Sequence, residues 1–201
     1  PLAARQRAAY DRAEGEGIIR LKRMGPEIRI EHVLELITRL KEVCNFDPES
    51  GDSAKLIDIK ERLETLVSEG HRALVFSQFT DTTFGTGALA SALAEFKPLV
   101  YTGSLSDAAR RGVIQKFKST PECKALILSL RAGGVGLNLQ EASYVFHLDR
   151  WWNPAVERQA EDRAHRIGQT VPVTVFKYTS EGTIEERIQN VLAQKQKLFE
   201  D

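Results

Sequence analysis

Cysteine is scarce in this sequence. The two present, Cys44 and Cys123, stand in unlike contexts, with no CxxC pair and no histidine at metal-ligand spacing. A disulfide scaffold and a thiolate metal site are therefore excluded, and reduced thiols are expected. Net charge is also missing: 28 Lys and Arg balance 28 Asp and Glu. Bulk charge thus says nothing about a polyanionic partner, and any such surface must come from local clustering. No apolar run approaches the roughly 20 residues that a bilayer crossing requires, and residues 1–12 lack the apolar core of a signal peptide. The expectation is a soluble piece cut from a longer protein, with no membrane partner. The four histidines, His32, His71, His147 and His165, share no spacing, and no serine or cysteine nucleophile arrangement appears. Neither GxGxxG nor GxxxxGK occurs, so neither a dinucleotide fingerprint nor a phosphate-binding lysine loop is encoded.

What is present is a change of periodicity near residue 70. Before it, Val33, Leu34, Leu36, Ile37 and Leu40 recur at helical spacing, as do Leu56, Ile59, Leu63 and Leu66, and a polar stretch over 45–53 separates the two groups. After it, short apolar runs at 73–76, 99–101, 125–130, 144–148 and 173–178 alternate with amphipathic stretches at 88–95, 107–117, 155–167 and 183–199. That alternation predicts an α/β domain with a mainly parallel sheet covered on both faces, preceded by a helical segment. The 201 residues suffice for one such core. Ligands of parallel sheets gather at the carboxyl ends of the strands. The polar residues there are Ser77 and Gln78, then Thr102, Gly103 and Ser104, then Ser129 through Gly134, and Asp149 through Asn153.

Three of these neighbourhoods carry chemistry. Gln159, Arg163 and Arg166 stand at i, i+4 and i+7 on one helix face, next to a buried stripe of Ala160, Ala164 and Ile167. Two guanidiniums side by side suit a polyphosphate, because each donates a fork of hydrogen bonds and offsets charge developing in phosphoryl transfer. The same spacing also fits a solvated face held by local pairs such as Asp162 with Arg166, worth about 0.3–0.5 kcal/mol each. The second neighbourhood is the loop after the run at 125–130. Gly133, Gly134 and Gly136 permit close backbone approach there, with Ser129, Arg131 and Asn138 around them; a structural turn and a phosphate-binding loop both fit. Third, Trp151 and Trp152 precede Asn153 and Pro154, a cap and first-turn pair for the next helix. The tryptophans suit either a buried anchor or a stacking surface.

Taken together, these segments resemble the carboxyl-terminal RecA-like lobe of the SWI/SNF-type ATPases of helicase superfamily two. Residues 73–79 look like motif four, 101–104 like the segment after it, 129–139 like motif five and 159–169 like motif six. The Trp151–Pro154 tetrapeptide, the Arg166 to Gln169 ending and the stretch 181–187 strengthen the likeness. The resemblance implies a RecA-like three-layer domain over 71–180, a helical inter-lobe bridge over 1–70 and a packing helix over 181–201. It implies Arg163 and Arg166 as arginine fingers, with Gln159, Gly134, Gly136 and Asn138 near the nucleotide. Ser77, Gln78, Thr102, Gly103, Ser104, Ser129 and Arg131 would face the DNA backbone. The implied cofactor is ATP with Mg2+, the metal being held by an amino-terminal lobe of the same polypeptide. The implied partner is double-stranded DNA, in the cytoplasm or nucleus, with the client on DNA left open. An RNA or strand-separating helicase lobe, or a catalytically dead nucleic-acid-binding module, are the alternatives.

Overall fold

The computed structural model describes residues 1–130, 138–162 and 172–200, with side chains up to residue 194 in the last helix. The chain forms two compact units, Lys55–Tyr178 and a helical unit made of Pro1–Ala54 with Thr179–Asp201.

The first of these is built on five strands: β1 (Ala73–Ser77), β2 (Leu99–Tyr101), β3 (Ala125–Ser129), β4 (Tyr144–His147) and β5 (Thr174–Lys177). They pair in the order β2-β3-β1-β4-β5, and every pairing is parallel. All five expected strands are present, and the sheet is parallel throughout rather than mainly so. β1 and β3 are buried at every residue, as central strands covered on both faces must be. On one face Leu74, Phe76, Leu126, Leu128 and Val145 form a single apolar cluster with Phe117 and Ala160. Those last two come from α5 (Asp107–Ser119) and α6 (Pro154–Glu161). On the other face Tyr144, Phe146, Phe176 and Tyr178 form a stacked aromatic row.

Helix α3 (Ala54–Ser68) was expected in the bridge before residue 70, but from Lys55 onward it belongs to the sheet unit. Its stripe Ile59, Leu63 and Leu66 is buried. Arg62 lies 4.3 Å from the Phe176 ring centroid, and Asp58 accepts both the Tyr178 hydroxyl at 2.6 Å and Arg62 Nε at 2.6 Å. The stripe at helical spacing revealed a helix but not which unit it would bury against.

Between β1 and β2 the short helix α4 (Thr86–Ala92) is followed by a 3-10 turn at Ala94–Phe96. The loop before α4 is bonded to itself: Asp81 Oδ1 accepts the amides of Thr83 at 2.8 Å and Phe84 at 2.7 Å, while Thr86 donates its amide to the Phe79 carbonyl at 3.0 Å. A Cβ at position 85 would stand 2.3 Å from that carbonyl, so only glycine closes this turn.

The helical unit contains α1 (Ala4–Met24), α2 (Ile30–Asn45) and α7 (Ile184–Glu200). Ala9, Tyr10, Leu40, Val43 and Cys44 form its core. Two polar side chains are buried with them and tie element ends together. Gln6 Nε2 donates to the carbonyls of Val43 and Cys44 at 2.9 and 3.0 Å, satisfying the carboxyl end of α2. The Tyr10 hydroxyl accepts the Ile184 amide at 2.7 Å at the start of α7; burial pushes its pKa up to about 12. Cys44 and Cys123 are buried and are not joined in a disulfide. No helix among the described residues is long and apolar enough to cross a membrane.

Candidate functional site

The carboxyl ends of the strands collect the polar residues that the sequence placed there. Asp149, just beyond β4, is fully buried, and it organises the end of its neighbour β1. Ser77 Oγ donates to Asp149 Oδ2 at 2.7 Å, and the Gln78 amide donates to Oδ1 at 3.0 Å. The Phe79 amide in turn donates to Ser77 Oγ at 3.2 Å. A carboxylate taking several donors is held rigid, so this knot fixes the first turn of the loop after β1. Ser77 itself is fully buried with its proton committed. It can act on a ligand only through the loop it holds.

On β2, the Thr102 and Ser104 hydroxyls lie 2.8 Å apart, with Thr102 buried and Gly103 and Ser104 exposed. Ser129 ends β3 buried. Among the described residues, Gln78 Nε2 just after β1 and Asn138 Oδ1 ahead of β4 are buried without a hydrogen-bond partner, as are Glu141 Oε2 and Gln189 Nε2 elsewhere. Orphaned buried groups are uncommon in folded proteins, and the one at Gln78 lies at a strand end, where a ligand's complementary groups would satisfy it. Arg131, Gly134 and Gly136 lie outside the described residues, as do Arg163 and Arg166.

The helix that leads to those arginines is described in detail. Asn153 Oδ1 accepts the Ala155 amide at 3.0 Å and Pro154 occupies the first turn, so α6 starts as its sequence specified. Trp151 packs against the apolar cluster, whereas Trp152 is 40% exposed, so the two tryptophans divide the two roles open to them. Gln159 is exposed and Ala160 buried, as the adjacent-stripe pattern requires.

Under α6 lies a charge network that the motif search did not single out. Glu157 is 1% exposed and receives Arg150 Nε at 2.9 Å, Arg150 Nη2 at 3.0 Å and the Trp151 amide at 2.8 Å. One turn on, Glu161 Oε1 stands 2.7 Å from Lys177 Nζ and 3.3 Å from His147 Nε2. Burial works to raise the Glu161 carboxyl, and His147 and Lys177 outweigh it, holding its pKa at about 2. Glu157 is likewise held below its usual value against the pull of burial, by Arg150 and the Trp151 amide. The visible signal was the pair Glu157 and Glu161 at i, i+4. Lys177 was not inferable as their shared partner, because it comes from β5, beyond α6 in sequence. Among the described residues no group of three or more His, Cys, Asp or Glu is placed to hold a metal ion.

Residues 54–168 match the helicase conserved C-terminal domain. YwqA of Bacillus subtilis is 36% identical over 98% of this chain and 22% of its own length. The chain spans about a fifth of the length of the curated relatives it matches. Among solved structures, the Sulfolobus solfataricus SWI2/SNF2 ATPase core in complex with dsDNA aligns with a TM-score of 0.79 and 32% identity, covering 98% of this chain and 43% of that one. The C-terminal domain of the Sulfolobus solfataricus SWI2/SNF2 ATPase aligns with a TM-score of 0.75 and 29% identity, covering all of this chain and 85% of that one. With that match over more than half its length and an all-parallel sheet to agree with it, this chain belongs to the helicase conserved C-terminal domain family, as the carboxyl-terminal lobe of a SWI2/SNF2-type ATPase.

Proposed function

We propose that the chain is the second motor lobe of an ATP-dependent double-stranded-DNA translocase, and that it is inactive as an ATPase without an amino-terminal lobe. The observation that carries this reading is the arrangement at the carboxyl end of the sheet. The turn after β1 holds the orphaned Gln78 Nε2, the segment ahead of β4 holds the orphaned Asn138 Oδ1, and α6, which follows β4, carries Gln159 and ends two positions before Arg163 in sequence. The likeness to an ATPase core solved with dsDNA supports the choice of partner.

The residues present fit half of a nucleotide site. Asn138 offers a buried unpaired acceptor and Gln159 an exposed amide, while Gly134 and Gly136 belong to the same sequence motif as Asn138. ATP with Mg2+, held chiefly by the other lobe, would supply the phosphoryl group and the free energy of its cleavage. Arg163 and Arg166 would then donate to the phosphate oxygens and offset the charge that develops there, a contribution of ~10³ or more in rate. Gln159 orients the group beside them. Gln78, Thr102, Gly103, Ser104 and Arg131 contact the DNA backbone, with Ser77 and Ser129 shaping the loops from below. Such contacts carry little sequence information, so binding is sequence-independent and salt-sensitive. Residues 1–70 serve as the inter-lobe bridge and 181–201 as a packing helix, in a protein working wherever the cell keeps its DNA.

The test is ATPase activity of the full-length protein with duplex DNA, single strands and RNA. Hydrolysis that duplex DNA stimulates and Arg166→Ala abolishes bears the reading out. Stimulation by RNA alone indicates an RNA helicase, and no hydrolysis at all indicates a binding module.

A further inference from the structure

Lys177 ends β5, the edge strand of the sheet, in register with His147 of β4. By strand alternation it shares the face of Val175, which packs into the apolar cluster beneath α6. Solvent reaches its side chain, yet its ammonium is turned onto one helix, which supplies both of its anionic partners. Nζ stands 2.7 Å from Glu161 Oε1 and 3.6 Å from Glu157 Oε2. The two glutamates are not equally dependent on it. Glu157 is already neutralised by the Arg150 fork and the Trp151 amide. Among the described residues Glu161 faces the Lys177 ammonium and the His147 imidazole. Lys177 therefore bridges the two turns of α6, and it ties the second turn to the sheet. The residue it grips lies two positions before Arg163.

We propose that Lys177 is a positioning residue for the arginine-finger motif: through Glu161 and Glu157 it fixes where α6 meets the sheet and hence where the chain leaves toward Arg163 and Arg166. The inference rests on the motor-lobe reading for its consequence in turnover, but not for the anchoring itself. A stem that merely filled space would be replaceable by methionine, since the two side chains have similar reach and apolar content. A positioning charge would not be, and arginine would substitute for it.

The experiment compares Lys177→Met, Lys177→Arg and Arg166→Ala in the full-length protein. It measures duplex-stimulated ATPase, thermal unfolding, and hydrogen exchange of the α6 amides against those of α5. In Lys177→Met, kcat is expected to fall tenfold or more with KM for ATP within twofold. Misplacing a catalytic group by about 1 Å can cost ~10²-fold. Exchange in α6 rises at least tenfold while α5 is unchanged, and Lys177→Arg restores both. Unchanged α6 exchange in Lys177→Met overturns the anchor. Faster exchange with unaltered kcat overturns the link to turnover, as does a KM rise that accounts for the whole effect. If Arg166→Ala keeps wild-type turnover, the arginine-finger reading fails by itself, and the exchange data still decide the anchor.

Discussion

The two ends of the same parallel sheet are both polar, yet they are built on opposite plans. At the amino end, Arg72 precedes β1 and is only 9% exposed. Its guanidinium donates to the carbonyls of Cys123 at 3.0 Å and of Phe117, and lies 3.9 Å from the Phe117 ring centroid. It thus satisfies the end of α5 and seals the turn into β3. His71 and Ser143 pair nearby at 2.9 Å. At the carboxyl end, Asp149 and the Lys177 network hold a loop and a helix in place, and the Gln78 side chain beside them ends in an unpaired Nε2. One end commits its guanidinium to closing the fold. The other uses buried charge to shape the strand ends, the edge at which ligands of parallel sheets gather.

Substitutions at the two ends should separate activity from stability. The largest effect is expected from Arg166→Ala, which should lower duplex-stimulated turnover of the full-length protein by ~10³-fold or more with an unchanged melting temperature. A melting temperature that drops with activity would erase the distinction between the ends. Arg72→Met should do the reverse. Two carbonyls lose their donor and the ring loses its cation, for a cost of about 2–4 kcal/mol and a melting temperature lower by roughly 5–15 °C. ATPase per folded molecule should hold, as calorimetry and kinetics on one preparation would show.

Asp149→Asn is intermediate, because it removes the charge from two donated hydrogen bonds. A loss of about 1.5–3 kcal/mol is expected in denaturant melts, accompanied by weaker DNA binding if the loop after β1 faces the duplex. The smallest effect concerns acid. Glu161 has a folded pKa of about 2 against an ordinary 4.5, so its contribution is full above pH 4.5 and is lost as pH falls toward 2. Unfolding curves of wild type and Glu161→Gln should therefore converge across that window. Curves that stay parallel through it would remove Glu161 from the set of stabilising charges.

The five strands and the start of α6 were legible because each is a local pattern: buried runs of apolar residues, and an Asn-Pro cap at the head of an amphipathic stretch. The ownership of α3 was not, since a helical stripe shows a buried face without saying which unit it faces. The turn at residues 84–87 depends on the close approach of Gly85 to the Phe79 carbonyl, a contact that no local pattern announces. For the site, motif spacing pointed to the strand ends and to Gln159, and it offered Ser77 as a contact surface. Its full burial against Asp149 emerged only from the pairing of β1 with β4. Lys177, a partner of both Glu157 and Glu161, was hidden for the same reason, since β5 follows α6 in sequence and returns beside it only through the sheet.

That return has a further consequence. Glu161 and Lys177 are well separated in sequence, yet their charged atoms are 2.7 Å apart. A contact between an early helix and a later strand of one sheet cannot form in the helix alone, so it exists only once β5 has joined β4. The ion pair is thus a reporter of the assembled sheet edge, and its loss would be felt where α6 and β5 meet rather than within either element.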